Sequence, residues 1–326
     1  MNDCEPDTVE GAEPAASTVS REQLAHVFPA EAPPNSVGRF RELAVLADGG
    51  LSTVFSGYDP DHDEHVAIKL IKPQRATKTA SARLLAEGRL LCRVRSPHVV
   101  ALHEMSTHEG RPFLAMDLLR RGSLHARILR GVPSDPWSTA RVIAGVCAGL
   151  SALHAASIIH GDVHPGNLLI ARRTMEFAAN EDSMTECSEA FELVTVEERI
   201  VVCDLDVAVD LLDPAPWQSC GTPRFRAPER AEPIAEISER TDVYGATAVL
   251  WSTVSASAPP LVDELVDAAD ALPSHWRRVM TTGMNGDPDR RFATMRDWSV
   301  AAIDALNVDL VRNGCEPLMS DSPNTC

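Results

Sequence analysis

Residues 158–170 read IIHGDVHPGNLLI. Asp162 follows His160 by two positions, Asn167 lies five further on, and the chain then enters an apolar run. A carboxylate there is placed to accept or orient a proton. The side-chain amide oxygen of Asn167 suits a hard cation. Asp and Asn are ordinary loop residues, so what surrounds the loop decides its meaning.

Upstream, LADGGLSTVFSG (46–57) opens a turn between two strands at Gly49 and Gly50, where backbone N–H groups can approach anionic oxygens closely. HVAIKLI (65–71) is a short apolar strand carrying one charge, Lys69. An unpaired buried ammonium is costly, and Glu87, in the helically spaced run SARLLAEGRLLCRV (81–94), is its natural partner. Downstream, IVVCDLD (200–206) reads as an apolar strand with Asp204 at its tip, a second oxygen donor for a hard cation. Each piece alone is weak. Their order along the chain is a strong joint signal.

Composition sets the bounds. The 326 residues can form two lobes around a cleft. The net charge of −17 speaks against nucleic-acid or anionic-membrane binding. Basic residues are nearly all arginine, with lysine only at 69, 72 and 78, so a lysine in this chain is expected to be needed as one. The eight cysteines form no CxxC pair, which implies reduced thiols and a cytoplasmic setting. No apolar h-region or 18-residue apolar run implies a leader or a membrane span. The expected organisation is a disordered acidic tail over 1–36, a strand-rich lobe over 37–117, a helix-rich lobe over 118–308 interrupted by an acidic insertion at 172–199, and a C-terminal tail over 309–326.

Over roughly residues 39 to 308 the chain resembles a bacterial eukaryotic-like serine/threonine protein kinase. The resemblance implies an α+β fold with a small antiparallel β lobe, one key helix and a larger helical lobe. Lys69 matches the strand lysine of V-A-I-K, Glu87 its helix partner, Asp162 the catalytic-loop base and Asn167 a metal ligand. Asp204 matches the metal-binding Asp of D-F-G. In GTPRFRAPE (221–229), Ala227, Pro228 and Glu229 match A-P-E, and Thr222 lies in the peptide-positioning segment, favouring serine or threonine acceptors. Asp242 of TDVYG resembles the buried support of the catalytic loop, and Arg291 of DPDRR the partner of Glu229. The implied ATP site has Ala47, Gly49 and Gly50 over the phosphates, and Val54 and Ala67 above the adenine with Leu169 below. Main chain near Asp117 and Leu119 meets the adenine edge just after Met116, and Mg²⁺ or Mn²⁺ sits between Asn167 and Asp204. ATP and a protein bearing Ser/Thr acceptors are the implied partners, with a regulator on the acidic tail or insertion as a further one.

The departures are specific. Ala47-Asp48-Gly49-Gly50-Leu51-Ser52 keeps only the middle glycine of three, with an aspartate close to the phosphates. Gly161 replaces the arginine of H-R-D, which ordinarily reads a phosphate on the activation segment. Residues 207–220 offer only Ser219 as an acceptor, so activity is expected not to need activation-segment phosphorylation. His164 stands where a lysine usually contacts the transferring phosphate, and a carboxylate–phosphate neighbourhood is expected to favour its protonation. Leu205 and Asp206 replace Phe and Gly of D-F-G. Two alternatives stay open: a pseudokinase scaffold that binds nucleotide or a partner, and a small-molecule phosphotransferase, since HGD followed by HPGN also resembles aminoglycoside and choline-type enzymes.

Overall fold

The β-branched and aromatic runs of the first third pair into one antiparallel sheet. A computed structural model describes residues 33–131, 134–173, 192–213, 222–231 and 236–319, and the chain from Asn35 onward is one compact unit. Strands β1 (Ser36–Val37), β2 (Phe40–Asp48), β3 (Ser52–Asp59), β4 (Glu64–Ile71), β5 (Leu102–His108) and β6 (Arg111–Asp117) lie in the order β1-β2-β3-β4-β6-β5. β4 is interior, with Lys69 opposite Val54 on β3 and Leu114 on β6. Alternate side chains face opposite sides of a strand. Val66, Ile68 and Leu70 therefore fill a core with Phe40, Phe55 and Phe113, while Ala67, Lys69 and Ile71 share the other face.

Helix α1 (Lys78–Cys92) packs on that face. Thr77 caps it, its hydroxyl accepting the Ala80 N–H at 3.1 Å. Ala80, Leu84, Glu87, Gly88, Leu90 and Leu91 form its buried stripe. At Gly88 a β-carbon would lie 2.7 Å from Met105 Sδ and 2.8 Å from Leu114 Cδ2. Glycine thus lets the helix approach the sheet closely enough to bring Glu87 to Lys69.

The larger lobe is helical: α2 (Leu124–Leu129), α3 (Pro136–Ala155), α4 (Glu239–Ser255), α5 (Leu265–Asp270), α6 (Ser274–Gly283) and α7 (Met295–Arg312). Asp135 caps α3, accepting N–H bonds from Trp137 and Ser138 at 2.8 and 3.0 Å, with Pro136 at the first helical position. Between helices run two short antiparallel pairs: β7 (Ile158–Ile159) with β10 (Val209–Asp210), and β8 (Leu168–Arg172) with β9 (Glu198–Val202). The fold is thus α+β and two-lobed, a small antiparallel sheet with one helix above a helical lobe.

Near the end of the insertion Leu193 and Val194 are buried, and the buried Glu198 bonds Arg127 at 2.6 and 2.7 Å. Against its burial, those bonds hold the Glu198 carboxyl at a pKa of about 2. Residues 174–191 of the insertion, most of the 1–36 tail and Ser219 lie outside the described residues. The strand before Asp204 ends at Val202, so Asp204 sits past the strand tip, in the left-handed region at φ +68°.

Candidate active site

Lys69 projects from the middle of β4 into the cleft and meets two carboxylates from opposite directions. Its Nζ donates to Glu87 Oε1 and Oε2 at 2.9 and 2.7 Å, and to Asp204 Oδ1 at 2.7 Å. Burial alone would lower this lysine's pKa, but Glu87 and Asp204 raise it above its ordinary value and keep it charged. Burial pushes the Glu87 carboxyl up while Lys69 pulls it back. For Asp204, Lys69 outweighs desolvation and holds the carboxyl below its usual range. A strand, a helix and a loop of the other lobe thus converge on one ammonium.

The catalytic-loop candidate hangs from α4. Asp242, fully buried near the start of that helix, accepts the N–H groups of His160 at 2.9 Å and Gly161 at 2.7 Å, and a bond from His154 Nε2 at 2.8 Å. His160 relays the order onward: its Nδ1 accepts the Asp162 N–H at 3.2 Å, which leaves Nε2–H to donate to the Cys203 carbonyl at 3.0 Å. The Asn167 amide donates to the Asp162 carbonyl at 3.1 Å, and the Asn167 carbonyl accepts the Cys203 N–H at 3.0 Å. Asp162 and Asp204 are therefore held in register by backbone bonds between their loops. One Asp162 oxygen, Oδ1, accepts the Thr222 N–H at 2.8 Å, so the segment around Thr222 touches the loop through its backbone.

His164 lies beside this carboxylate, its Nε2 3.8 Å from Asp162 Oδ2. Its Nδ1 accepts the Gly166 N–H at 3.1 Å, which places the neutral ring's proton on Nε2. Burial pushes the imidazole below its ordinary pKa, with Asp162 acting in the opposite sense. Burial thus works against the protonation that the neighbouring carboxylate favours.

The residues read as nucleotide-binding line the cleft side of the sheet and the floor below. Ala47 is opposite Val54, Val54 opposite Lys69 and Ala67 opposite Met116; Leu119 follows β6, and Leu169 on β8 bridges Ser123. The Gly49 N–H closes the turn onto the Ser52 carbonyl at 3.0 Å, with Gly50 at its open tip. Asp48, awkward beside phosphates on sequence grounds, bonds Lys72 Nζ at 2.7 Å and the Thr53 hydroxyl at 2.8 Å, and the lysine holds its carboxyl below the ordinary value. Asp117 accepts from His103 Nε2 at 2.8 Å, and its own N–H goes to the Ala101 carbonyl.

Below the cleft, Glu229 and Arg291 form a buried bidentate pair at 2.7 and 2.8 Å, and Thr241 donates to the same carboxylate at 2.9 Å. Removing one partner of such a pair costs about 3–5 kcal/mol. Two residues escaped sequence reading. Arg83, one turn before Glu87 on α1, bonds Asp206 at 3.0 Å, and its i,i+4 spacing from Glu87 was the available signal. Arg230 packs against Gly161, and nothing local in the sequence announces that contact.

A small antiparallel sheet with a single helix, a strand lysine bonded to a helix carboxylate and to an aspartate of a helical lobe, and a buried support under the intervening loop define a protein-kinase-type domain. The family model for the protein kinase domain matches residues 40–290, and the chain belongs to that family. Among curated relatives it is 28% identical to the serine/threonine-protein kinase PknD of Mycobacterium tuberculosis over 289 residues, which is 82% of this chain and 40% of that protein. It is 25% identical to PknH of the same organism over 309 residues, 88% of this chain and 46% of that protein. With PknE it shares 26% over 284 residues, 82% of this chain and 46% of that protein. The chain thus spans less than half the length of these relatives. Among the described residues no helix is long and apolar enough to cross a membrane.

Proposed function

We propose that this domain transfers the γ-phosphoryl group of ATP to serine or threonine hydroxyls of protein substrates. The observation that carries the reading is the Lys69 ammonium bonded at once to Glu87 and Asp204, over a loop that presents Asp162. In this reading Lys69 neutralises phosphate oxygens, held in place by Glu87. Val54, Ala67, Met116 and Leu169 enclose the adenine, Asp117 and Leu119 meet its edge, and Ala47, Gly49 and Gly50 cover the phosphates. Asp162, with one oxygen committed to Thr222, uses the other to orient the incoming hydroxyl and take its proton. The hydroxyl oxygen bonds the γ-phosphorus as the bond to the β-phosphate oxygen breaks, and ADP leaves with that oxygen. The barrier is lowered mainly by positioning and charge.

Asn167 and Asp204 offer hard oxygen donors. The described residues contain no cluster of three or more His, Cys, Asp or Glu able to cage a metal alone, which suits a cation shared with substrate phosphates. Mg²⁺ or Mn²⁺ held there supplies charge neutralisation and alignment of the phosphates. The free thiols Cys92, Cys147, Cys203 and Cys315 support a reducing, cytoplasmic setting. A regulatory partner would meet the acidic sequences of the tail and insertion.

The test is transfer from labelled ATP with Mg²⁺ or Mn²⁺ to the protein itself and to casein. Label is expected on serine and threonine, and Lys69→Met and Asp162→Asn should each remove it. Transfer that persists in both variants, or label on free small alcohols only, overturns the reading. No transfer from the parent protein, with nucleotide binding intact, would make it a binding module instead.

A further inference from the structure

The catalytic loop of this chain has a hole, and something fills it. Gly161 sits at φ +74°, and a β-carbon there would lie 3.1 Å from Arg230 Cζ and 3.2 and 3.3 Å from its two terminal nitrogens. Arg230 follows Glu229 in a short 3₁₀ turn (Pro228–Ala231) and is 0% exposed. Its guanidinium therefore occupies the volume beside the loop where the family's arginine side chain would begin. From there Nη2 donates to the Val207 carbonyl at 3.1 Å. Val207 lies just past Asp204, at the start of the segment that Arg230 ends.

The other side of this stretch is held as well. Arg83 on α1 shares a helix face with Glu87, and its Nη2 bonds Asp206 Oδ2 at 3.0 Å. Asp206 stands where the family has glycine, so the substitution that looked like damage supplies the acceptor. Between them Leu205 is buried in the main core. Four consecutive residues are thus fixed by four different means: Asp204 by Lys69, Leu205 by packing, Asp206 by Arg83 and Val207 by Arg230.

We infer that Arg83 and Arg230 are positioning residues that clamp the Asp204–Val207 segment in its metal-binding conformation, replacing the phosphate-read arginine that Gly161 has lost. A buried guanidinium that already bonds a carbonyl of the same segment needs no phosphate to engage it. The two arginines differ in kind: Arg83 and Asp206 are each about one-third exposed, so their pair is screened by salt, whereas the Arg230 contact is not. The inference rests on the kinase reading for its catalytic consequence but not for its structural one, and the test separates the two.

Two measurements decide it on the full chain. The first is amide hydrogen exchange over residues 204–210, without nucleotide, in the parent protein and in Arg230→Met, Arg230→Lys and Arg83→Gln. Exchange there should rise by about tenfold or more in Arg230→Met and Arg83→Gln, with Arg230→Lys closer to the parent. The second is kinase turnover on casein before and after phosphatase treatment. The parent's kcat should be unchanged by phosphatase, and Arg230→Met should lose about tenfold in kcat with KM for ATP altered by less than about threefold. Unchanged exchange in both Arg83→Gln and the Arg230 variants overturns the clamp, whether or not the parent transfers phosphate. Loss of parental activity on phosphatase treatment overturns the replacement of phosphate control. A parent without transfer but with raised exchange in the variants refutes only the kinase reading. If Arg230→Met does not fold, Arg83→Gln carries the same comparison.

Discussion

His164 shows how one substitution reaches chemistry through a neighbour. Its ring lies over residue 166, where a β-carbon would fall 2.6 Å from His164 Cε1, so Gly166 makes room for the imidazole and its N–H fixes the tautomer. The ring offers one N–H donor, and burial pushes its pKa below the ordinary imidazole value of about 6.5, which disfavours the charged form. His164→Lys is therefore expected to raise kcat by about tenfold at neutral pH, roughly 1.4 kcal/mol of barrier. Because the shift is downward, lowering pH toward about 6.5 does not yet protonate the parent's histidine, and the advantage of lysine should persist across that range. Steady-state rates of the two proteins at several pH values check this; a variant no faster than the parent would show that the charge is not missed. That His164 lies beside Asp162 was legible from its position in the loop. Its tautomer was not, since that depends on a backbone bond only the folded loop makes. Gly161 taught the reverse: the sequence reveals a missing side chain, but the guanidinium that fills the space arrives from another turn.

At the scale of elements, α4 is the platform of the site. Asp242 and Gly245 lie three apart, hence on one helix face. The first holds the His160 and Gly161 amides; the second packs on Val163, where a β-carbon would come within 2.9 Å of the Val163 carbonyl oxygen. Burial works against the Asp242 carboxylate, yet the bond from His154 and the loop amides keep its pKa below the usual value. A carboxyl depressed in the fold stabilises it above the unfolded value of about 3.9, and the contribution is lost as pH falls through the lower folded value. Asp242→Asn should cost about 3 kcal/mol near neutral pH, since it leaves buried donors facing an amide. The gap from the parent should shrink as pH falls below the unfolded value and through the parent's depressed folded value, where its carboxyl takes up a proton. Urea unfolding at neutral and acidic pH measures both; an equal gap at every pH would mean that the charge plays no part. TDVYG pointed to this support from the sequence. Composition alone could not show how the insertion ends: Glu198 is neutralised by Arg127, and Leu193 and Val194 enter the core beside that pair.

At the scale of the molecule, the order of the motifs was enough to read two lobes, because Lys69 and Glu87 precede the catalytic loop and Asp204 follows it. What order cannot show is how tightly the lobes are already joined. Lys69 bonds Asp204 and Arg83 bonds Asp206 across the cleft; His98 bonds the Ile200 carbonyl at 2.8 Å, and Arg93 reaches Asp210 and the Ala156 carbonyl. The two sides of the cleft are thus joined by bonds between protein groups. Preorganisation of this kind moves cost from binding to folding. Ligand should therefore appear as added stability of an intact domain rather than as a change of fold. At about a hundred times its dissociation constant, Mg-ATP should add about 2.7 kcal/mol, raising the melting temperature by roughly 5 °C for a domain of this size. If Asp204 holds the cation as proposed, Asp204→Asn, which also takes the charge that Lys69 bonds, should abolish the metal-dependent part of that rise while binding of metal-free nucleotide remains weakly visible. Thermal melts with ATP, with Mg²⁺ alone and with both, on the parent and the variant, make the comparison. A rise in the parent that does not depend on metal would remove Asp204 from the cation site and leave Lys69 as the phosphate anchor by itself.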